Sequence, residues 1–206
     1  MAQDFEKVSV IGLGYVGLPM AVILASRGLD VIGVDTNART VELINQGKIH
    51  IEEPGLADLV RDVVADGKLR AATVPEPADA FFIAVPTPFA EDHKADLSHV
   101  EAAVRAVASV LKKGNLLVLE STSPVGTTEK VAQWAADVRP DLTFPQQAGE
   151  AADVQVAHSP ERVLPGKVLK ELVSNDRVIG GLTPRCAARA AELYKLFVAG
   201  QCLLSD

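Results

Sequence analysis

The chain has 206 residues, 48% of them hydrophobic, which suffices for one large domain with a sizeable core. Its 20 basic and 27 acidic residues leave a formal charge of −7 and no basic run, which argues against a nucleic-acid binder. The opening segment is polar and acidic rather than signal-like, no apolar stretch nears the ~20 residues that span a bilayer, and Cys186 and Cys202 fit no metal or redox spacing. Together these read as a cytoplasmic, reduced protein with no membrane or nucleic-acid partner.

In chain order, apolar runs predict strands over 7–12, 31–34, 69–73, 80–85, 116–120, 154–157 and 177–179. Helical spacing predicts helices over 15–27, stopped at Gly28, and over 37–46, stopped at Gly47. Further helices are predicted over 54–66 and 127–138. The helix starting at Ser98 shows a capping-box pattern with Glu101, apolar positions from Val100 to Leu111, and a stop at Gly114. The last helix starts with Thr183 as cap and Pro184 at its first position, turns Ala187, Ala190, Tyr194 and Phe197 inward, and stops at Gly200. Strands alternate with helices and are unbroken apolar runs. Both facts predict an α/β fold of the Rossmann-type, doubly wound kind, with helices on both faces of a mostly parallel sheet.

Gly12, Gly14 and Gly17 fit the G-x-G-x-x-G spacing, between a strand and a helix and closed by a second strand. The first glycine makes the tight turn, the second lets a pyrophosphate approach, and the third lets helix pack on strand. The helix start then offers free N–H groups to that anion. Asp35 ends the second strand, where a carboxylate accepts hydrogen bonds from the adenosine ribose and repels a 2′-phosphate. The expected cofactor is therefore NAD. Arg39 is the counter-signal, since a guanidinium there would suit NADP. A tight turn beside a surface aspartate is the competing reading.

Ligands of doubly wound sheets bind beyond the C-terminal strand ends. Polar turns gather there: Asp35, Pro86-Thr87-Pro88, the run from Ser121 to Gly126, and His158-Ser159-Pro160-Glu161-Arg162. An ordinary turn at Thr87, helix capping by Thr127 or Thr128, and a surface ion pair of Glu161 with Arg162 are the competing readings. His50, His93, His99 and His158 show no metal-ligand spacing, and no metal is expected.

IGLGYVGLP (11–19), VPTPF (85–89), ESTSPVGTTEK (120–130), PERVLPGK (160–167) and NDRVIGG (175–181) together resemble the UDP-glucose/GDP-mannose dehydrogenase family. RPDLTFPQQ (139–147) resembles its mannosamine-type branch. The resemblance covers nearly the whole chain in order. It implies oxidation of a nucleotide-sugar alcohol to the acid with two NAD reduced, the substrate being a UDP-sugar such as UDP-N-acetylmannosamine. It also implies that Tyr15, Val16, Asp35, Thr87, Thr122 and Thr128 contact NAD, that Arg162 and Val163 begin the sugar-nucleotide site, and that Glu161 stands near the reacting carbon.

Members of that family are about twice as long and carry a nucleophilic cysteine in a Gly-Gly-His-Cys-type motif of the C-terminal half. Neither Cys186 nor Cys202 resembles it. The expectation is one NAD-binding Rossmann domain over 1–206, without the linking helix and catalytic half, inactive alone and monomeric although the full-length enzyme dimerises. The alternatives are a UDP-glucose-type domain, a short β-hydroxyacid-type dehydrogenase, a non-catalytic nucleotide-binding module, or an assembly domain.

Overall fold

The computed structural model describes residues 5–89 and 95–205. Eight strands form one sheet: β1 (Lys7–Ile11), β2 (Asp30–Val34), β3 (Leu69–Ala72), β4 (Ala80–Ile83), β5 (Leu116–Leu119), β6 (Gln155–His158), β7 (Arg177–Gly181) and β8 (Cys202–Ser205). The helices are α1 (Gly17–Ser26), α2 (Ala38–Asn45), α3 (Leu56–Ala65), α4 (Ser98–Ala108), α5 (Thr127–Val138), α6 (Pro145–Ala148), α7 (Val168–Ser174) and α8 (Pro184–Tyr194).

The sheet order is β3-β2-β1-β4-β5-β6-β7-β8. β1 pairs in parallel with β2 on one side and with β4 on the other, so the chain reverses its direction of winding between β1 and β4. This is the doubly wound arrangement expected from the sequence. All pairs are parallel except β6 with β7, which run antiparallel. The seven residues of α7 form a helix of only ~10 Å and do not carry the chain back across the sheet. β7 therefore starts at the edge where β6 ends.

Alternate strand residues feed two cores. Val8, Val10, Val31, Phe82, Val118 and Ala157 face α1, α3, α7 and α8. Ile11, Ile32, Val34, Phe81, Ile83, Leu117, Leu119 and Val156 face α4 and α5. Both sets are apolar, which is why no polar alternation is visible along the strands. α1 is buried from Gly17 to Ala25 because the sheet covers one side of it and α3 and α7 the other. It closes in a Schellman motif: Leu29 N–H donates to Leu24 O and Gly28 N–H to Ala25 O, with Gly28 at φ +95°.

Four expectations change. α4 ends at Ala108, six residues before the stop expected at Gly114. The capping box at Ser98 is not formed. Asp96 lies two residues ahead and its carboxylate accepts the Ser98 N–H at 2.9 Å, while Glu101 pairs with Arg105 one turn on. The last helix ends at Tyr194 rather than near Gly200, where a Cβ would stand 2.5 Å from Asn175 O. That glycine serves a close chain crossing, not a helix stop. β8, α6 and α7 add three elements to those expected, although Val168, Leu169, Leu172 and Val173 do carry helical spacing.

Candidate functional site

The glycine loop follows β1 at the centre of the sheet. Gly12 adopts φ +93°, and a Cβ there would lie 2.6 Å from Ala84 O at the end of β4. A Cβ on Gly17 would lie 1.8 Å from Gly12 O, so the start of α1 touches the turn that precedes it. Gly14 faces open space. The loop is thus closed against protein at its first and third glycines and open at its second, the face a pyrophosphate needs.

Asp35 is built into this loop. Its Oδ2 accepts the Leu13 N–H at 3.0 Å and its Oδ1 the Asn37 N–H at 2.9 Å. Asn37 in turn caps α2 by accepting the Arg39 and Thr40 N–H groups. The carboxylate is held by backbone donors with lone pairs left for ligand hydroxyls.

Two lobes open on either side of Gly12, Asp35, Val85 and Pro86. One, of about 340 Å³, is lined by Gly12, Leu13, Gly14, Tyr15, Val16, Asp35, the Ala84–Thr87 turn, Glu120, Ser121, Thr122 and Glu161. The other, of about 370 Å³, lies between the ends of β2 and β3 and helix α4 and includes Thr36, Thr73, Pro75, His99 and Ala102. Apart from the residues it shares with the first lobe and His99, weighed from sequence only as a metal ligand, the lining of this second lobe carries no sequence signal because small and apolar residues such as Thr36, Pro75 and Ala102 have no distinctive chemistry.

Of the residues expected at the site, Gly12, Gly14, Tyr15, Val16, Asp35, Thr87, Thr122 and Glu161 line the first lobe. Gly17 supports it from below. Thr128 is half-buried on the first turn of α5 and does not line it. Arg162 is exposed, its carbonyl accepting from Asn175 Nδ2 at 3.1 Å, and Val163 packs against the core. His158 stands at the end of β6 with Nδ1 2.7 Å from Leu119 O, and burial lowers its pKa against that hydrogen bond. His93 lies outside the described residues. Cys186 is buried under β6, Cys202 lies on β8, and neither reaches the cleft. Among the described residues no His/Cys/Asp/Glu group could hold a metal ion, and no helix is long and apolar enough to cross a membrane.

The turns are tied to one another. Thr87 Oγ1 donates to Thr122 O at 2.7 Å, and Ser121 Oγ to Val85 O at 2.7 Å. Thr87 therefore does more than turn the chain between prolines. α5 has no side-chain cap: Thr127 Oγ1 donates to Pro124 O instead. Among the described residues no ion pair joins Glu161 to Arg162. The Glu161 carboxylate accepts the Val163 N–H, and its own N–H donates to Glu120 O at 3.3 Å.

Behind that wall lies a buried triad missing from the sequence reading. Glu120 Oε1 accepts from Arg177 Nη1 at 2.9 Å, and Oε2 accepts the Tyr194 hydroxyl. Burial pushes the Glu120 carboxyl up, while the Arg177 cation and the Tyr194 hydroxyl pull it back. Burial, reinforced by the Glu120 charge, pushes Tyr194 far above its ordinary range.

The sequence and the described fold match a known family. The family model for the UDP-glucose/GDP-mannose dehydrogenase family, NAD binding domain, matches residues 6–198. The chain belongs to that family. It is 62% identical over 98% of its length to the NDP-N-acetyl-D-galactosaminuronic acid dehydrogenase of Ralstonia nicotianae, covering 48% of that protein. It is 61% identical over 99% of its length to the UDP-N-acetyl-D-mannosamine dehydrogenase of Escherichia coli K12, covering 49% of it. Among solved structures, UDP-D-ManNAc dehydrogenase of Pyrococcus horikoshii superposes with a TM-score of 0.90 at 40% identity, over 97% of this chain and 47% of that one. The chain spans about half the length of the curated relatives it matches. As the NAD-binding domain of this family, it takes NAD as its cofactor, and the open Gly14 and the anchored Asp35 fit that cofactor.

Proposed function

We propose that this chain is the single cofactor-binding domain of an enzyme that oxidises the primary alcohol of UDP-N-acetyl-D-mannosamine to the acid, with two NAD reduced, and that it is inactive without the remaining half. Bound NAD supplies the hydride acceptor. The chain's own residues bind and orient it. The N–H groups at the start of α1 face the pyrophosphate across Gly14, and Asp35 takes the adenosine ribose. Thr87 and Thr122 fix the turns beneath the other half of the cofactor. Glu161 stands at the far wall, where a carboxylate suits activation of water. Arg162 and Val163 start the stretch that leads to the sugar nucleotide. The nucleophile belongs to the other half on this reading, as does the contact that pairs two copies.

The observation that carries the proposal is the Asp35 carboxylate pinned to the glycine loop between two lobes. Calorimetric titration tests it. NAD binds saturably, NADP much more weakly, and Asp35→Ala weakens NAD roughly tenfold or more, the worth of hydrogen bonds to a charged group. Equal affinity for both cofactors, unchanged in the variant, would overturn the assignment of Asp35. The mannosamine reading follows the mannosamine-type motif, although relatives named for two different sugars match equally well. Both sugar nucleotides are therefore the ones to offer the complete enzyme.

A further inference from the structure

Among the described residues, the lobe that reaches Glu161 is lined by three carboxyl residues, Asp35, Glu120 and Glu161, and by no lysine, arginine or histidine. The three acids are not equivalent. Asp35 stands on the β2 side, where the adenosine half of a dinucleotide sits. Glu120 is fully buried and its charge is matched by Arg177 at 2.9 Å. Glu161 is half-buried and, among the described residues, pairs with no cation; its carboxylate accepts only the Val163 N–H. A dinucleotide laid across the switch between β1 and β4 places its nicotinamide over the ends of β4 and β5. That is the half of the cleft that Glu161 walls.

The two redox forms of the cofactor differ by one charge at that ring. The oxidised ring is a cation and the reduced ring is neutral, while the pyrophosphate is the same in both. Backbone N–H groups at the start of α1 meet the phosphates on this assignment, and among the described residues no side-chain cation lines this lobe to offset the extra negative charge of the reduced form. We propose that Glu161 acts as a redox-state selector, its carboxylate, which no described cation pairs, favouring NAD+ over NADH. The inference rests on the assignment of this cleft to NAD. On the proposed four-electron reaction a reduced cofactor must leave, and an oxidised one enter, between the two steps. A wall that favours the oxidised form promotes that exchange.

The test titrates the native chain and Glu161→Gln with NAD+ and, separately, with NADH. Glutamine keeps an oxygen acceptor for the Val163 N–H and removes the charge. The ratio Kd(NADH)/Kd(NAD+) is expected to fall roughly three- to tenfold in the variant, as one partly screened charge in a site open to water would give, and the difference shrinks as salt is added. Glu192→Gln, an exposed change on α8, leaves the ratio unmoved; an equal effect there would reduce the phenomenon to net charge and overturn the proposal. An unchanged ratio in Glu161→Gln, with both cofactors binding, overturns the selector role and leaves the cofactor site standing. Failure of the folded native chain to bind either cofactor overturns both.

Discussion

Arg177 is the residue on which the site's rear wall depends most. It is 3% exposed, its Nη1 holds Glu120, and its guanidinium lies 5.4 Å from the centre of the Tyr194 ring. Tyr194 packs edge-on against Phe82 at 5.6 Å, so the triad is embedded in aromatic core. Removing one member of such a pair strands a buried charge. Arg177→Met is expected to cost about 3–5 kcal/mol in urea unfolding. The Nε and Nη2 atoms of Arg177 have no hydrogen-bond partner among the described residues, so the polar cluster is only partly satisfied. The triple variant Arg177→Met, Glu120→Leu and Tyr194→Phe, which also removes the hydroxyl that Glu120 accepts, therefore recovers most of that loss. A single variant as stable as the native chain would mean that Glu120 is held neutral.

At the scale of elements, the question is what fixes the loop that carries Glu161. Glu53, from the segment between α2 and α3, is 7% exposed. Its two carboxylate oxygens accept the Gly166 N–H at 2.8 Å and the Val168 N–H at 2.7 Å. It thus caps α7 from 115 residues away, with its negative charge at the helix start. A second tie is Glu171, which accepts the Leu164 N–H at 2.8 Å. Glu53→Gln turns one acceptor into a donor facing an N–H group. The expected loss is about 1.5–3 kcal/mol. Amide exchange at Gly166 and Val168 should accelerate ahead of global unfolding, whereas uniform acceleration throughout the chain would show that Glu53 stabilises the whole fold rather than this loop.

For the whole molecule, the cleft runs over the ends of β1, β2, β4 and β5 and touches α1 and α4. A ligand there binds both windings of the sheet at once and only when they are assembled. NAD at 100 times its dissociation constant adds about 2.7 kcal/mol of stability. For a chain of this size that raises the melting temperature by roughly 5–10 °C in calorimetry. NADP at the same concentration should move it far less. A rise of equal size with both cofactors would count against the 2′-hydroxyl as the group Asp35 reads.

Local pattern in the chain was enough for the doubly wound sheet, the glycine loop and Asp35. Apolar runs, helix spacing and a strand–turn–helix with fixed glycines are set by residues close in sequence, and their physical demands are local. Thr87, Thr122 and Glu161 were legible because each follows a strand, and strand ends of a parallel sheet share one edge. Other features came only from tertiary structure. Glu120, Arg177 and Tyr194 are 57 and 74 residues apart along the chain, and they meet because β7 turns antiparallel to β6 and α8 covers the same core. Glu53 looks like any loop acid until α7 is placed beside it. The absence of cations among the described residues that line the first lobe is likewise a property of which side chains converge, which no single segment encodes.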